Sequence, residues 1–211
     1  SEFLLGDFLE KKSSNRRDPL TIATKLAPYP WRLGRKGFHK PFFASKKRLK
    51  NHLHRVQIHW STARYAPFQE TELIDGLGDL VNNGDVNEIG VSNMGPKRLK
   101  WIFNRLTERE INLKSVQIQI SLLAPNQDKI ITMINLCKEL NIDLIAYSPL
   151  AFGVLCISDE NIKLPSSIIR KNLFIKLLKG SQELRKGINE IAIERDVSMA
   201  QVALNWCRSY G

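Results

Sequence analysis

The sequence predicts a β/α architecture built on parallel strands, and three observations carry that reading. Five short apolar runs each close on a polar residue able to do chemistry, and segments of helical periodicity alternate with them. Strands separated in this way pair in parallel only through crossover helices. In a β/α barrel the carboxyl ends of the strands converge on the face that carries the active site, so polar groups at successive strand ends would meet around one pocket.

In chain order, LTIATK closes on Lys25, RVQIHW carries His59, and NEIGVSN ends in Ser92 and Asn93. SVQIQIS carries Gln117 and Gln119, and IDLIAYS ends in Tyr147 and Ser148. Between the runs, PKRLKWIFNRLTER and NQDKIITMINLCKEL show helical spacing of apolar residues. The stretch FHKPFFASKKRLKNHLHR after Lys25 contains Pro41. A proline costs about 3 kcal/mol in a helix interior and little in the first turn. A helix starting near Pro41 removes the conflict, whereas a longer one would mark the segment as drifted. The GLG at Gly76 to Gly78 falls where a helix is expected and lacks the third glycine of a dinucleotide fingerprint.

A chain of 211 residues, 43% apolar and 25% charged, can bury a core as one domain over 1–211 and has no low-complexity tract. No apolar stretch approaches the roughly 20 residues that span a bilayer, and no signal-peptide pattern opens the chain, so the default is a soluble protein. Cys137, Cys156 and Cys207 are isolated and lack CxxC spacing, which fits a reducing compartment and core roles better than disulfides or a catalytic thiol. The grouping of His52, His54 and His59 has no acid beside it and no HExxH pattern, so no metal is expected. GxxxxGK[ST] and GxSxG are both absent, which removes the cases for a P-loop enzyme and an α/β-hydrolase.

The charge is concentrated. From Pro19 to Gln69 there are 11 Lys or Arg and no acid, and the rest of the chain balances at 21 of each, so the net +11 lies in that segment. Such a segment can attract nucleic acid, anionic membrane or a phosphate-bearing cofactor, although a solvated helix face explains it more simply. No base-reading or RNA-binding aromatic motif accompanies it, so neither a nucleic-acid nor a membrane partner is expected.

The strand-end residues form a chemical set. A desolvated ammonium such as Lys25 depresses the pKa of a nearby acid, and an imidazole such as His59 can hydrogen-bond a carbonyl oxygen. Taken singly, the lysine reads as a solvated cap and the histidine as a satisfied core residue. Ser, Asn and Gln at the next strand ends offer donors and acceptors for a carboxamide, and Tyr147 offers a surface on which a planar ring can stack. Together they suit a nicotinamide.

In these residues the sequence resembles the aldo-keto reductases. ATK ending in Lys25, QIHW with His59, IGVSN, Gln117 on its strand and AYSPLAFGVL look like that family's landmarks in the family's order. GINEIAIERDVSMAQVALNW resembles the helix region before the eighth strand, and ATKLAPYPWR, HWSTARYAPFQE and GVSNMGPKRL look like the plant-type pyridoxal reductases. The resemblance implies a (β/α)8 TIM barrel that binds NADP(H) without a Rossmann domain. It would transfer hydride directly to a small aldehyde or ketone, pyridoxal among them.

By the same resemblance Lys25 and His59 match two of four catalytic positions. Ser92, Asn93 and Gln117 match residues that hold the nicotinamide carboxamide, and Tyr147 matches the stacking residue. Ser148, Leu150 and Gly153 fall in the loop that contacts the pyrophosphate, with Arg170 where that loop often supplies a phosphate-binding cation.

SEFLLGDF looks like the segment just after the family's catalytic Tyr, which places the Asp and Tyr positions ahead of residue 1. NWCRSYG stops where the eighth strand should follow, so the chain is expected to hold about strands 3 to 7 of the barrel and to be nearly inactive alone. Tyr29 and Tyr65 lie beyond strands in loops, and Tyr147 has its own role, which leaves no substitute acid. Two alternatives stay open: a catalytically dead regulatory or interaction subunit, and a basic module using Lys46 to Arg55. The compartment implied is cytoplasmic or plastid, and the oligomeric state is left open.

Overall fold

A computed structural model describes residues 1–12, 20–124, 127–158, 162 and 164–210. Within them the chain forms two compact units, residues 1–118 with 135–145, and residues 119–134 with 146–211. Five strands form one sheet in sequential order: β1 (Ala23–Leu26), β2 (Arg55–Ile58), β3 (Glu88–Ser92), β4 (Leu113–Gln119) and β5 (Asp143–Tyr147). β1 to β4 pair in parallel, and the sequential order means that each crossover leads to the neighbouring strand, as in a barrel wall. All five expected runs are strands, with β1 starting at Ala23 rather than Leu20.

The helices are α1 (Glu2–Lys12), α2 (His39–Arg48), α3 (Pro67–Asn82), α4 (Pro96–Thr107), α5 (Gln127–Leu140), α6 (Ile168–Gly180), α7 (Gln182–Glu194) and α8 (Met199–Arg208). Prolines open α3 and α4, where the missing N–H has no intrahelical partner to lose. Pro41 sits in the first turn of α2, so that helix carries no interior break. Pattern and structure agree on α4 and α5 to within two residues.

Alternation along the strands divides the sheet into two faces. Val56, Ile58, Ile89, Val91 and Val116 are fully buried apolar residues. The alternate positions are polar or small. The register aligns Arg55 with Glu88, then Lys25 with Gln57, Gly90 and Ser115, then Ser92 with Gln117. Gly90 is required in the middle row, because a β-carbon there would collide with Ser115 Oγ and crowd Gln57. Across it Gln57 Nε2 donates to Ser115 Oγ at 3.1 Å, which satisfies two buried polar groups together.

Helix α3 also explains the GLG motif. A side chain at Gly76 would strike the Arg35 carbonyl, and one at Gly78 would strike Arg109 and Ile111, so the glycines admit close neighbours to a helix surface. Ion pairs tie α3 to its surroundings. Asp75 accepts from Arg105 at 2.8 and 2.6 Å, and Asp79 accepts from Arg35 and Arg109. Glu70, fully buried, accepts from the Thr62 and Ala63 amides and Ser61 Oγ and is paired with Arg98.

Much of the basic segment is taken up in structure. Arg48 Nε donates to Glu2 at 2.6 Å, Lys50 lies 3.7 Å from both Asp7 and Glu10, and Lys46 Nζ donates to the Asp85 carbonyl. Helix α1 therefore brings the acids that the Pro19–Gln69 stretch lacks. Arg55 is only 8% exposed, which withdraws it from the surface that a basic binding module would use.

In the second unit, Ala151, Leu155, Ile188, Ala192, Met199 and Ala203 form one cluster, and Val154, Phe174 and Leu178 form another. Helix α8 begins with a capping box in which the Ser198 side chain and Gln201 bond each other's backbone amides.

Candidate active site

The first unit brings together five of the residues singled out by sequence. Lys25 lies in β1, His59 follows β2, Ser92 ends β3, Asn93 follows it and Gln117 lies near the end of β4. Parallel pairing puts all of them toward one edge of the sheet. Lys25 Nζ donates to Gln117 Oε1 at 2.9 Å, a contact that links the first strand to the fourth. The lysine thereby orients the Gln117 side chain. The Gln117 backbone carbonyl accepts the Asn93 amide at 2.9 Å.

Asn93 adopts a left-handed backbone, φ 57°, a conformation that asparagine tolerates better than most residues. That turn directs Nδ2 back to the His59 carbonyl at 3.0 Å and to Ser92 Oγ at 3.3 Å. Ser92 is 1% exposed. The strand ends of β2, β3 and β4 are thus laced together through Asn93.

Lys25 and His59 open on one cleft of about 860 Å3. Burial lowers the pKa of His59 below its usual 6.5, and the positive charge of Lys25 lowers it further. The imidazole is therefore neutral at pH 7 and carries one N–H to donate. Tyr29 and Trp31 line the same cleft, stacked at 4.7 Å with 15° between their planes, and Trp60 meets Tyr29 edge-on at 5.9 Å. Tyr65 is engaged through its oxygen, which accepts from Trp60 Nε1.

The remaining sequence candidates belong to the second unit. Tyr147 ends β5, half-buried, and its carbonyl accepts the Ile120 amide. Ser148 takes a left-handed backbone, φ 51°, and its carbonyl accepts the Ala151 amide at 3.0 Å. Gly153, φ 93°, follows Phe152, φ 59°, inside the 3-10 segment Ala151–Cys156, and its amide donates to the Leu150 carbonyl at 2.9 Å. Only glycine takes that φ without strain. Arg170 lies exposed near the start of α6.

Sequence reasoning passed over three polar side chains on the same sheet face: Arg55, Gln57 and Ser115. Their signal was present in the two-residue period, since Arg55, Gln57 and His59 alternate along RVQIH. The cleft residues Trp31, Lys36 and Lys40 carried no such period because they lie in the β1–α2 connection and the first turn of α2. Among the described residues no group of three His, Cys, Asp or Glu is placed to hold a metal, and no helix is long and apolar enough to cross a membrane.

The family model of the aldo/keto reductases matches residues 1–209. The chain belongs to that family. It is 41% identical over 210 residues to the chloroplastic pyridoxal reductase of Arabidopsis thaliana, covering 98% of this chain and 57% of that protein. It is 27% identical over 217 residues to L-glyceraldehyde 3-phosphate reductase of Escherichia coli strain K12, covering 95% of this chain and 61% of the relative. The chain thus spans about three fifths of the length of these relatives. A glycerol dehydrogenase of Gluconobacter oxydans superposes with a TM-score of 0.74 at 21% identity, over 100% of this chain and 65% of that one. A thermostable aldo-keto reductase superposes at 0.72 with 20% identity, over 99% and 63%. These likenesses establish the fold as that of the family's barrel, of which the described residues hold five strands.

Proposed function

We infer that the chain is a single partial barrel domain, residues 1–211, of an NADPH-dependent reductase that converts a small aldehyde or ketone to the alcohol. Pyridoxal is the leading substrate. The observation that carries this reading is the convergence of Lys25 and His59 on one cleft from adjacent strand ends. The 41% identity to a pyridoxal reductase supports the choice of substrate, and its chloroplastic name favours a plastid over the cytoplasm.

The residues present fit a nicotinamide. Ser92, Asn93 and Gln117 supply one hydroxyl and two amides at neighbouring strand ends, the donor and acceptor types that a carboxamide needs. Taken by itself, and by the family resemblance, the second unit would offer a stacking ring in Tyr147 and, in Ser148, Leu150, Gly153 and Arg170, a backbone turn and cation for a pyrophosphate. NADPH, when bound, supplies the hydride.

The chain's own residues orient and polarise the carbonyl, and the proton that completes the alcohol would come from the Tyr that the resemblance places ahead of residue 1. His59, held neutral by burial and by Lys25, donates its N–H to the substrate carbonyl oxygen and fixes the orientation of the carbonyl. The Lys25 ammonium favours negative charge as it develops on that oxygen. Gln117 holds the ammonium in place through its 2.9 Å contact.

The test has two readouts: NADPH binding by fluorescence, and, in the chain extended by the family's Asp and Tyr positions, pyridoxal reduction followed by loss of nicotinamide absorbance. His59→Ala is expected to slow reduction about 100-fold or more while NADPH binding is retained. Reduction at the unaltered rate in that variant would remove His59 from the proposed role. Tyr147→Ala is expected to weaken NADPH binding with little change in melting temperature.

A further inference from the structure

The cleft around Lys25 and His59 carries more positive charge than reducing a carbonyl requires. Among the described residues no acid pairs with Lys36 or Lys40, both of which line the cleft and are exposed. Glu2 is the one acid among the described lining residues, and it is already held by Arg48 Nε at 2.6 Å and Thr24 Oγ1 at 2.6 Å. Asp79, the acid bound by the neighbouring Arg35, is shared with Arg109. The two lysines are thus left uncompensated in a wall that also holds the catalytic ammonium.

The same cleft presents a flat apolar surface. Trp31 is 73% exposed although it is stacked on Tyr29. Arg32 steadies the pair, lying 5.0 Å from the Tyr29 ring centre while its Nη1 donates to the Ala27 carbonyl at 2.6 Å. An exposed indole stacked on a second ring suits a planar ring, and unpaired ammonium groups suit a compact anion.

Resting on the reductase reading above, we propose that this cleft also takes planar aromatic aldehydes that carry a phosphate ester and binds them more tightly than their unphosphorylated counterparts. The ring lies on Trp31, the aldehyde faces His59 and the phosphate sits between Lys36 and Lys40. A phosphate monoester is close to a dianion at neutral pH and matches two ammonium groups, where a carboxylate would balance only one.

The test is equilibrium binding to the 211-residue chain of 4-deoxypyridoxine 5′-phosphate and of 4-deoxypyridoxine, which lack the aldehyde and so cannot condense with a lysine. At low ionic strength the phosphorylated analogue is expected to bind about tenfold or more tightly than its counterpart, a preference that shrinks with salt. The double variant Lys36→Gln with Lys40→Gln is expected to abolish the preference while leaving the unphosphorylated analogue bound as before. Trp31→Ala is expected to weaken both analogues. Equal affinities in the unaltered chain, or a preference that survives the double variant, would overturn the inference. So would failure of both analogues to bind. Because NADPH binding and the His59→Ala rate test the reductase reading by themselves, the two can fail separately.

Discussion

The two ends of the polar face of the sheet use charge in opposite ways. At the amino ends of the strands Arg55, 9% exposed in its side chain, is closed by Glu88 at 2.7 Å and by Asp143 at 3.4 Å. At the carboxyl ends Lys25 and His59 face a cleft, and the lysine donates to an amide oxygen rather than to an acid. A cation matched by carboxylates is spent on holding strands together. A cation left without one depresses its neighbour's pKa and remains available to a ligand. The same strand β2 contributes to both ends, through Arg55 within it and His59 just after it. This matches the layout expected of a β/α barrel, with paired charges at the amino ends of the strands and an open cleft at the carboxyl ends.

Three substitutions and one titration would break or sharpen that contrast. The largest effect is expected from Lys25→Met, which, in the chain extended by the family's Asp and Tyr positions, should slow reduction of the proposed aldehyde substrate about 100-fold while leaving the denaturation midpoint in place. A lowered midpoint with normal turnover would move Lys25 to the structural side. Gly90→Ala should do the reverse. Its new methyl strikes Ser115 and Gln57 in the packed middle row, and overpacking of that kind costs about 1–3 kcal/mol, read from urea unfolding.

Arg55→Met should be milder, about 1–2 kcal/mol, because Glu88 and Asp143 are 31% and 50% exposed and can be rehydrated. A loss of several kcal/mol would mean that the amino-end cluster behaves as a fully buried network.

The smallest effect concerns protons. His59, with its pKa lowered first by burial and then by Lys25, should titrate below 6.5 when its ring resonances are followed by NMR. Lys25→Met should raise the midpoint while leaving it under 6.5, since the larger cause remains. The sign for stability follows from linkage. The unfolded chain takes up this proton first as pH falls, so the His59 contribution is complete above pH 6.5 and declines below it. Stability that rose on acidification through that window would contradict the assigned shift.

The strand-end positions of the candidate residues in each unit were legible in the sequence. Lys25, His59, Ser92, Asn93 and Tyr147 each end or follow an apolar run of strand length, and a two-residue period with polar residues at the ends is a local property. Helix α4 was legible because Leu99, Ile102 and Leu106 recur at helical spacing and are fully buried. The start of β1 was not, since the regular register begins only at Ala23: the Ile22 carbonyl accepts the His54 and Arg55 amides, but its own amide donates to the His54 ring at 3.2 Å instead of a backbone carbonyl.

The amino-acid sequence by itself determined the order of the strands and helices, the family and which residues stand at the strand ends, because periodicity and motif order are recorded along the chain. Only the tertiary structure decided which charges are spent and which are kept. Glu2 reaches Arg48 and Glu70 reaches Arg98 across 46 and 28 residues, while Lys36 and Lys40 meet no acid among the described residues. Charge pairing weakens with distance in space and has no period in sequence. A run of 11 cations without an acid therefore reads as one basic segment until α1 and the strand ladder show which of them are already answered.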